Sequence, residues 1–217
     1  MQKWTGLIVA AIVASTATPL HALDLSSLVG TMEVEFQPMQ SAGIKEGCTL
    51  VYHVVGQDWA YRKGSLISLA GNIAYTANEH RTNLGLVLKI GAMDSLDPSA
   101  RLEPPFFAYI QTPHGTTARS KFVQADGEPG FRLFTYLLDG DTMKVLADIS
   151  SGALVTIGFN RNKGGLDVLI PLDLSVVESR VSADGSIKHR RSDEMLLQFL
   201  DCVTEITSQV QNQLQTR

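Results

Sequence analysis

Cysteine is scarce: the 217-residue chain has two, Cys48 and Cys202. Neither lies in a CxxC pair, and the five histidines (His21, His53, His80, His114 and His189) show no HxH or HExxH spacing. Such a set cannot fill the four-ligand sphere of a structural zinc site, so no metal centre is expected. The motifs GxSxG, SxxK, GxxxxGK[ST] and GxGxxG are all missing. Their absence removes the common nucleophile turns and phosphate-cradling loops, and no cofactor is expected. Charge is thin, at 18% with a net of −4. A nucleic-acid-binding domain carries a net basic footprint, so no nucleic-acid partner is expected. No repeat and no low-complexity segment is visible.

Long apolar runs are missing too. Residues 7–14 form an apolar run of eight after Lys3, and small residues and Pro19 follow. Eight falls far short of the ~20 residues a membrane-spanning helix requires. The pattern is that of a secretory signal peptide, with cleavage after Ala22 or Ala17. Loss of residues 1–22 leaves 17 basic against 22 acidic residues, a charge of −5, and no transmembrane segment. In an oxidising compartment the even pair Cys48 and Cys202 suggests one bridge. The alternative is two separately buried thiols.

What remains reads as one domain of about 48–210, preceded by a mixed segment 23–47 and followed by a polar tail 211–217. Val34 and Phe36 alternate with Glu33 and Glu35, which suits a short first strand; 37–47, with Pro38, Gly43 and Gly47, reads as loop. Residues 49–55 are β-branched and aromatic between two glycines, a strong strand signal. A second strand region over 66–76 is interrupted at Gly71-Asn72, which suggests a bulge or tight turn. Further strands are expected at 84–90, 106–112, 119–124 and 131–138. Asp141 then caps a helix over about 142–151 that ends at Gly152. Apolar runs 153–159 and 166–172 face each other across Asn160-Arg161-Asn162-Lys163-Gly164-Gly165, and 172–181 with 186–191 make another hairpin. Ser192 starts a C-terminal helix over about 193–210 whose apolar face is Leu196, Phe199, Leu200, Val203, Ile206 and Val210. Eight to ten antiparallel strands and two helices predict a mainly β fold, a β-sandwich or open barrel.

Candidate chemistry is sparse, and no catalytic residue is assigned. His53 falls mid-strand and reads as a hydrogen-bonded structural histidine. His114 stands in a turn beside Thr112, Thr116 and Thr117, but a hydroxyl nucleophile also needs a positioned base and an orienting carboxylate. Asp167 and Asp173 flank one strand; they would hold a cation or act as an acid/base pair only if they converged, and such residues more often cap turns. The two stretches with a recognition composition are Trp59-Ala60-Tyr61-Arg62 and the basic run Lys188-His189-Arg190-Arg191. Trp59, Tyr61 and Arg62 suit a hot-spot surface. Lys188, Arg190 and Arg191, with Arg161 and Lys163, suit a patch for anionic lipid headgroups or polysaccharide, or the charged guard of a strand edge.

The order Met143-Lys144-Val145-Leu146, Ser151-Gly152, Leu154-Val155-Thr156-Ile157-Gly158-Phe159, glycine turn, Val168-Leu169-Ile170-Pro171-Leu172-Asp173-Leu174 resembles the second half of the invasion-associated locus B family of exported bacterial proteins. The resemblance covers 141–174. It implies a periplasmic or surface β-sandwich with no assigned catalytic residues, linked to envelope function or host-cell colonisation. That family usually carries further cysteines, which this chain lacks. The resulting expectation is a periplasmic or secreted non-enzymatic protein that binds a protein or envelope component. The alternatives are a periplasmic hydrolase and a secretion-system inhibitor or immunity protein.

Overall fold

The structure, a computed structural model, describes residues 25–41, 43–77, 84–94, 99–117, 122–123 and 128–215. The expected leader at 1–22, with His21, lies outside the described residues, as do His80 and most of 119–124. The described residues form eleven strands in three antiparallel sheets and two α-helices, with no closed barrel. The mainly β, sandwich-like class expected from the sequence is what is found.

The large sheet has the order β1-β2-β3-β4-β7-β6. Its members are β1 (Met32–Ser41), β2 (Ile44–Asp58), β3 (Ser65–Ala77), β4 (Leu84–Asp94), β6 (Phe122–Val123) and β7 (Arg132–Leu137). Strict period-two alternation decides which face is which. Cys48, Leu50, Tyr52 and Val54 of β2 point into the core beside Ile67, Leu69, Ile73 and Tyr75 of β3 and Leu86, Leu88 and Ile90 of β4. Glu33, Glu35, His53, Asn72 and Lys89 occupy the opposite face.

Two local expectations fail here. Residues 37–47 are not a loop: β1 and β2 continue as a long hairpin, with Pro38 opposite Cys48 and a register shift at Met39/Gln40. Pro38 is tolerated because β1 is an edge strand with no neighbour needing that N–H. Nor does Gly71 mark a bulge or turn, since β3 passes through it unbroken, paired with both Tyr52 and Ile90. A Cβ at Gly71 would collide with the Lys89 carbonyl and crowd the Tyr52 hydroxyl, which donates to that same carbonyl at 3.3 Å. The glycine is required for close approach of strands.

The second layer is β5 (Phe107–Gln111), β8 (Val155–Asn160) and β9 (Val168–Leu172), in the order β5-β8-β9. The β8–β9 hairpin matches the two apolar runs read from the sequence. Val155, Ile157, Phe159, Val168 and Ile170 join the same core cluster as the large sheet. Full burial of such side chains stabilises by roughly 2 kcal/mol each.

Helix α1 (Gly140–Ser150) is capped by Asp139, not Asp141; the Asp139 carboxylate accepts the Thr142 N–H at 2.8 Å. Its buried face is Thr142, Val145, Leu146, Asp148 and Ile149, and Gly152 takes φ 75° just past its end. Helix α2 (Glu194–Gln215) runs five residues beyond the expected end and buries Leu196, Phe199, Cys202, Val203, Ile206 and Val210. Leu200, expected on that face, is exposed. Cys202 is bonded to Cys48 with Cα atoms 5.9 Å apart, and this bridge pins α2 to β2. The Tyr75–Thr207 hydroxyl contact at 2.7 Å and the Lys45–Glu205 ion pair at 2.5 Å hold the same end.

Between α2 and β9 the chain forms a two-stranded ribbon, β10 (Val176–Val181) and β11 (Ile187–Arg191). It docks on β1 through one hydroxyl: Ser179 Oγ accepts from Met32 N at 2.9 Å and donates to Met32 O at 2.8 Å. That donation uses its only proton, so His189 Nδ1, at 2.9 Å, is the donor in the third contact.

Candidate interaction surface

β2 ends at Asp58, whose side chain is wholly buried. A buried carboxylate is costly unless it is paired and hydrogen-bonded. Asp58 has both kinds of partner. Its Oδ1 accepts the Tyr61 N–H at 2.8 Å, and its Oδ2 accepts Arg161 Nε at 3.0 Å. Arg161 follows directly on β8, and its Nη2 donates to Asp94 Oδ1 at 2.6 Å. Arg62 pairs with the other Asp94 oxygen at 2.8 Å. Two carboxylates and two guanidiniums therefore clamp the ends of β2, β4 and β8 into one cluster, with the exposed Glu103 carboxylate 3.9 Å from Arg161 Nη1.

The clamp fixes two loops, 59–64 and 161–167. The Tyr61 hydroxyl joins them by donating to the Leu166 carbonyl at 2.7 Å. Gly64, at φ 84°, closes the first loop and donates its N–H to the Asp58 carbonyl at 2.8 Å. The indole of Trp59 lies against Gly64 so tightly that any Cβ there would overlap its six-membered ring. The ring packs its edge on Gly64 while 72% of the residue stays in solvent. Leu166 is 69% exposed and Leu169 53%. Beside them a groove of about 190 Å³ runs between the end of β2 and β9, lined by Val29, Gly30, Gly56, Trp59, Leu169 and Pro171 among others. Arg62, Lys63 and Lys163 are exposed around this apolar centre. The one carboxylate within the two loops, Asp167, already accepts the Tyr109 hydroxyl at 3.0 Å.

The sequence candidates separate into used and unused groups. Of the three in the first stretch, Trp59 is presented to solvent, Tyr61 spends its hydroxyl on Leu166, and Arg62 is spent on Asp94. The second stretch does not gather Arg161 and Lys163. Arg161 is 14% exposed and committed to the clamp, whereas the ribbon cations have their own partners. Arg180 and Arg190 share Glu178, and Arg191 Nη2 bonds Asp173 at 3.0 Å. Lys188 is exposed on the ribbon, opposite Arg180.

Asp167 and Asp173 stand at opposite ends of β9, roughly 20 Å apart at 3.3 Å per residue, so they form no acid/base pair. Ser175 and Arg191 hold the Asp173 carboxyl below its ordinary range against the upward push of its burial. His53 is exposed on the open face of the large sheet opposite Glu33 and is not a hydrogen-bonded core residue. It borders a second groove, of about 380 Å³, whose far wall is filled by the protein's own cation. There Lys89 sits 4.5 Å over the Phe131 ring and pairs with Glu128.

His114 gains the orienting carboxylate that the sequence could not supply. Asp148 of α1 accepts His114 Nδ1–H at 2.7 Å and the His114 backbone N–H at 3.0 Å. With the Thr112 hydroxyl these bonds hold the Asp148 carboxyl down at about 2. Of the neighbouring hydroxyls, Thr112 lies between Asp148 and the Gly115 carbonyl with one proton to give, Thr117 bonds the Ile110 backbone, and Thr116 is exposed. The pair fastens the turn after β5 to α1. The described residues hold no group of three or more His, Cys, Asp or Glu fit for a metal ion, and no helix long and apolar enough to cross a membrane. No protein-family model, curated protein or solved structure matches this chain.

Proposed function

We propose that this is an exported, non-enzymatic β-sandwich protein that binds a protein or another envelope component through the Trp59–Leu166 surface. One observation carries the reading: an indole 72% in solvent stands on a loop whose Tyr61 and Arg62 are already committed internally. Interface energy concentrates in such rigid aromatic anchors, because little conformational freedom is lost on binding. Export is supported by the leader-like pattern of residues 1–22 and by a disulfide of the kind oxidising compartments favour. Kinship with the invasion-associated locus B family is part of the proposal. Its support is local, in the order of helix, hairpin and glycine turn over 141–174.

Two measurements test this. Intact mass and non-reduced peptide mapping of the protein from its native host should give a start near Leu23 and a Cys48–Cys202 peptide. An unprocessed, reduced chain would remove the export reading. Crosslinked capture from envelope extracts should then yield a saturable partner that Trp59→Ala loses; capture unchanged by that substitution would remove the surface. The hydrolase alternative has one observation behind it, the Asp148–His114 pair. It requires an esterase or amidase activity that His114→Ala abolishes.

A further inference from the structure

β9 is the last strand of its sheet, so one of its edges is unpaired by any other strand. Pro171 lies in it and has no N–H to donate, which places the Pro171 nitrogen on the side facing away from β8. Backbone groups of alternate residues face the same way in a strand. The N–H and C=O of Leu169 therefore point outward with the Pro171 carbonyl, along the groove that Trp59 and Gly56 line. Among the described residues no backbone bond from outside the sheet reaches Leu169 or Pro171. The side chains divide the same way: Val168, Ile170 and Leu172 are buried, while Leu169 and Pro171 are exposed.

Most proteins guard such an edge with inward charges, bulges or a covering segment. β1 has a cover of this kind where Ser179 occupies both backbone groups of Met32. β9 instead has exposed apolar side chains and an indole beside it. The exposed lysines of the two loops are Lys63 and Lys163, Arg62 being paired with Asp94, and the one carboxylate within those loops is taken by Tyr109.

We infer that the open edge of β9 accepts an extended, acidic and apolar segment of a partner protein as an added antiparallel strand, its apolar side chains meeting Trp59, Leu166 and Leu169 and its carboxylates meeting Lys63 and Lys163. This rests on the interaction surface proposed above and deepens it by naming the occupant's conformation and charge. Main-chain bonds to Leu169 supply affinity in this mode, and the side-chain contacts supply selectivity.

The test uses the full chain and a capped seven-residue peptide alternating valine with glutamate, at about 1 mM, the range expected for one short strand. Site-resolved hydrogen exchange should show the Leu169 amide slowed at least tenfold, with a blue shift of Trp59 emission that Trp59→Phe removes. The same peptide with lysine for glutamate should protect at least fivefold less. Leu169→Pro, which deletes the outward N–H and leaves the ladder to β8 intact, should abolish the Trp59 shift. Failure of that variant to fold is controlled by Leu169→Thr, which keeps the N–H and must keep the shift. No protection at Leu169, or equal protection by the lysine peptide, overturns the inference. A natural partner that is lost with Trp59→Ala but kept by Leu169→Pro would overturn strand addition alone and leave the binding surface standing. Self-association through β9, seen as a concentration-dependent dimer that Leu169→Pro dissolves, would overturn the choice of a foreign partner.

Discussion

The two ends of β2 are fastened in opposite ways. At Cys48 the strand is tied covalently to α2, with Tyr75–Thr207 and Lys45–Glu205 beside the bridge. Ten residues on, at Asp58, it is tied by a guanidinium that also holds Asp94. The disulfide is indifferent to protons and salt but not to reductant. The ionic end depends on every member staying in place, because removal of one leaves a buried charge without a partner. The loops at the ionic end leave Trp59 and Leu166 in solvent, so the proposed binding surface sits on the part of the fold whose order is set by geometry and charge.

The comparison can be broken most severely at the covalent end. Cys202→Ser, or reduction, should cost up to roughly 5 kcal/mol by the chain-entropy estimate for so long a loop. Urea unfolding with and without reductant reads this directly. At the ionic end Arg161→Ala should cost roughly 3 kcal/mol, since it strands Asp58. The double change Asp58→Asn with Arg161→Met should cost less than that single one, and a larger loss would mean the clamp acts through more than charge pairing. Sodium chloride at 1 M should shift the midpoint of the wild type little, because a pair this buried is poorly screened.

Acid acts at a third place, the Asp148–His114 pair that ties α1 to the turn after β5. The Asp148 carboxyl titrates at about 2 in the folded protein, below the ordinary range of an unfolded aspartate. Its contribution is therefore complete above about pH 4 and is lost as pH falls from about 4 towards 2. Asp148→Asn should flatten that limb of a stability–pH curve, whereas Cys202→Ser should lower the curve without changing its slope there. The smallest effect is expected at Trp59: Trp59→Ala should change stability by less than about 0.5 kcal/mol, as exposed positions do. Calorimetry showing a larger loss would make the indole a structural plug rather than an anchor.

Much of the fold was legible because it depends on local period. The β8–β9 hairpin shows in its glycine-rich turn, the α2 face in three- and four-residue spacing, and the bridge in the cysteine count. The extension of β1 and β2 through 37–47 was hidden by Pro38, Gly43 and Gly47, which read as breakers until the edge position of β1 is known. Gly71 read as a bulge because a sequence does not show that Lys89 presses on it from the next strand. The site was half legible. Trp59 stood out by composition, but its significance depends on Asp58 meeting Arg161 across 103 positions and on Tyr61 meeting Leu166 across 105. His114 and Asp148 are 34 apart with no spacing rule to join them. Leu169 and Pro171 read only as core strand, since nothing local reveals which strand ends a sheet.

The bridge spans 154 positions, from the first core strand to the last helix. Cys48 therefore leaves the ribosome long before its partner exists. At synthesis rates of about 5–20 residues per second the wait is roughly 8–30 s. During that time β2 and β3 can pair, but the face that α2 will cover is bare, and Cys48 stands as a free thiol. Maturation of this protein is thus timed by its last helix, and a chain truncated before residue 202 would present an uncovered sheet and one unpaired sulfur to the cell's quality control.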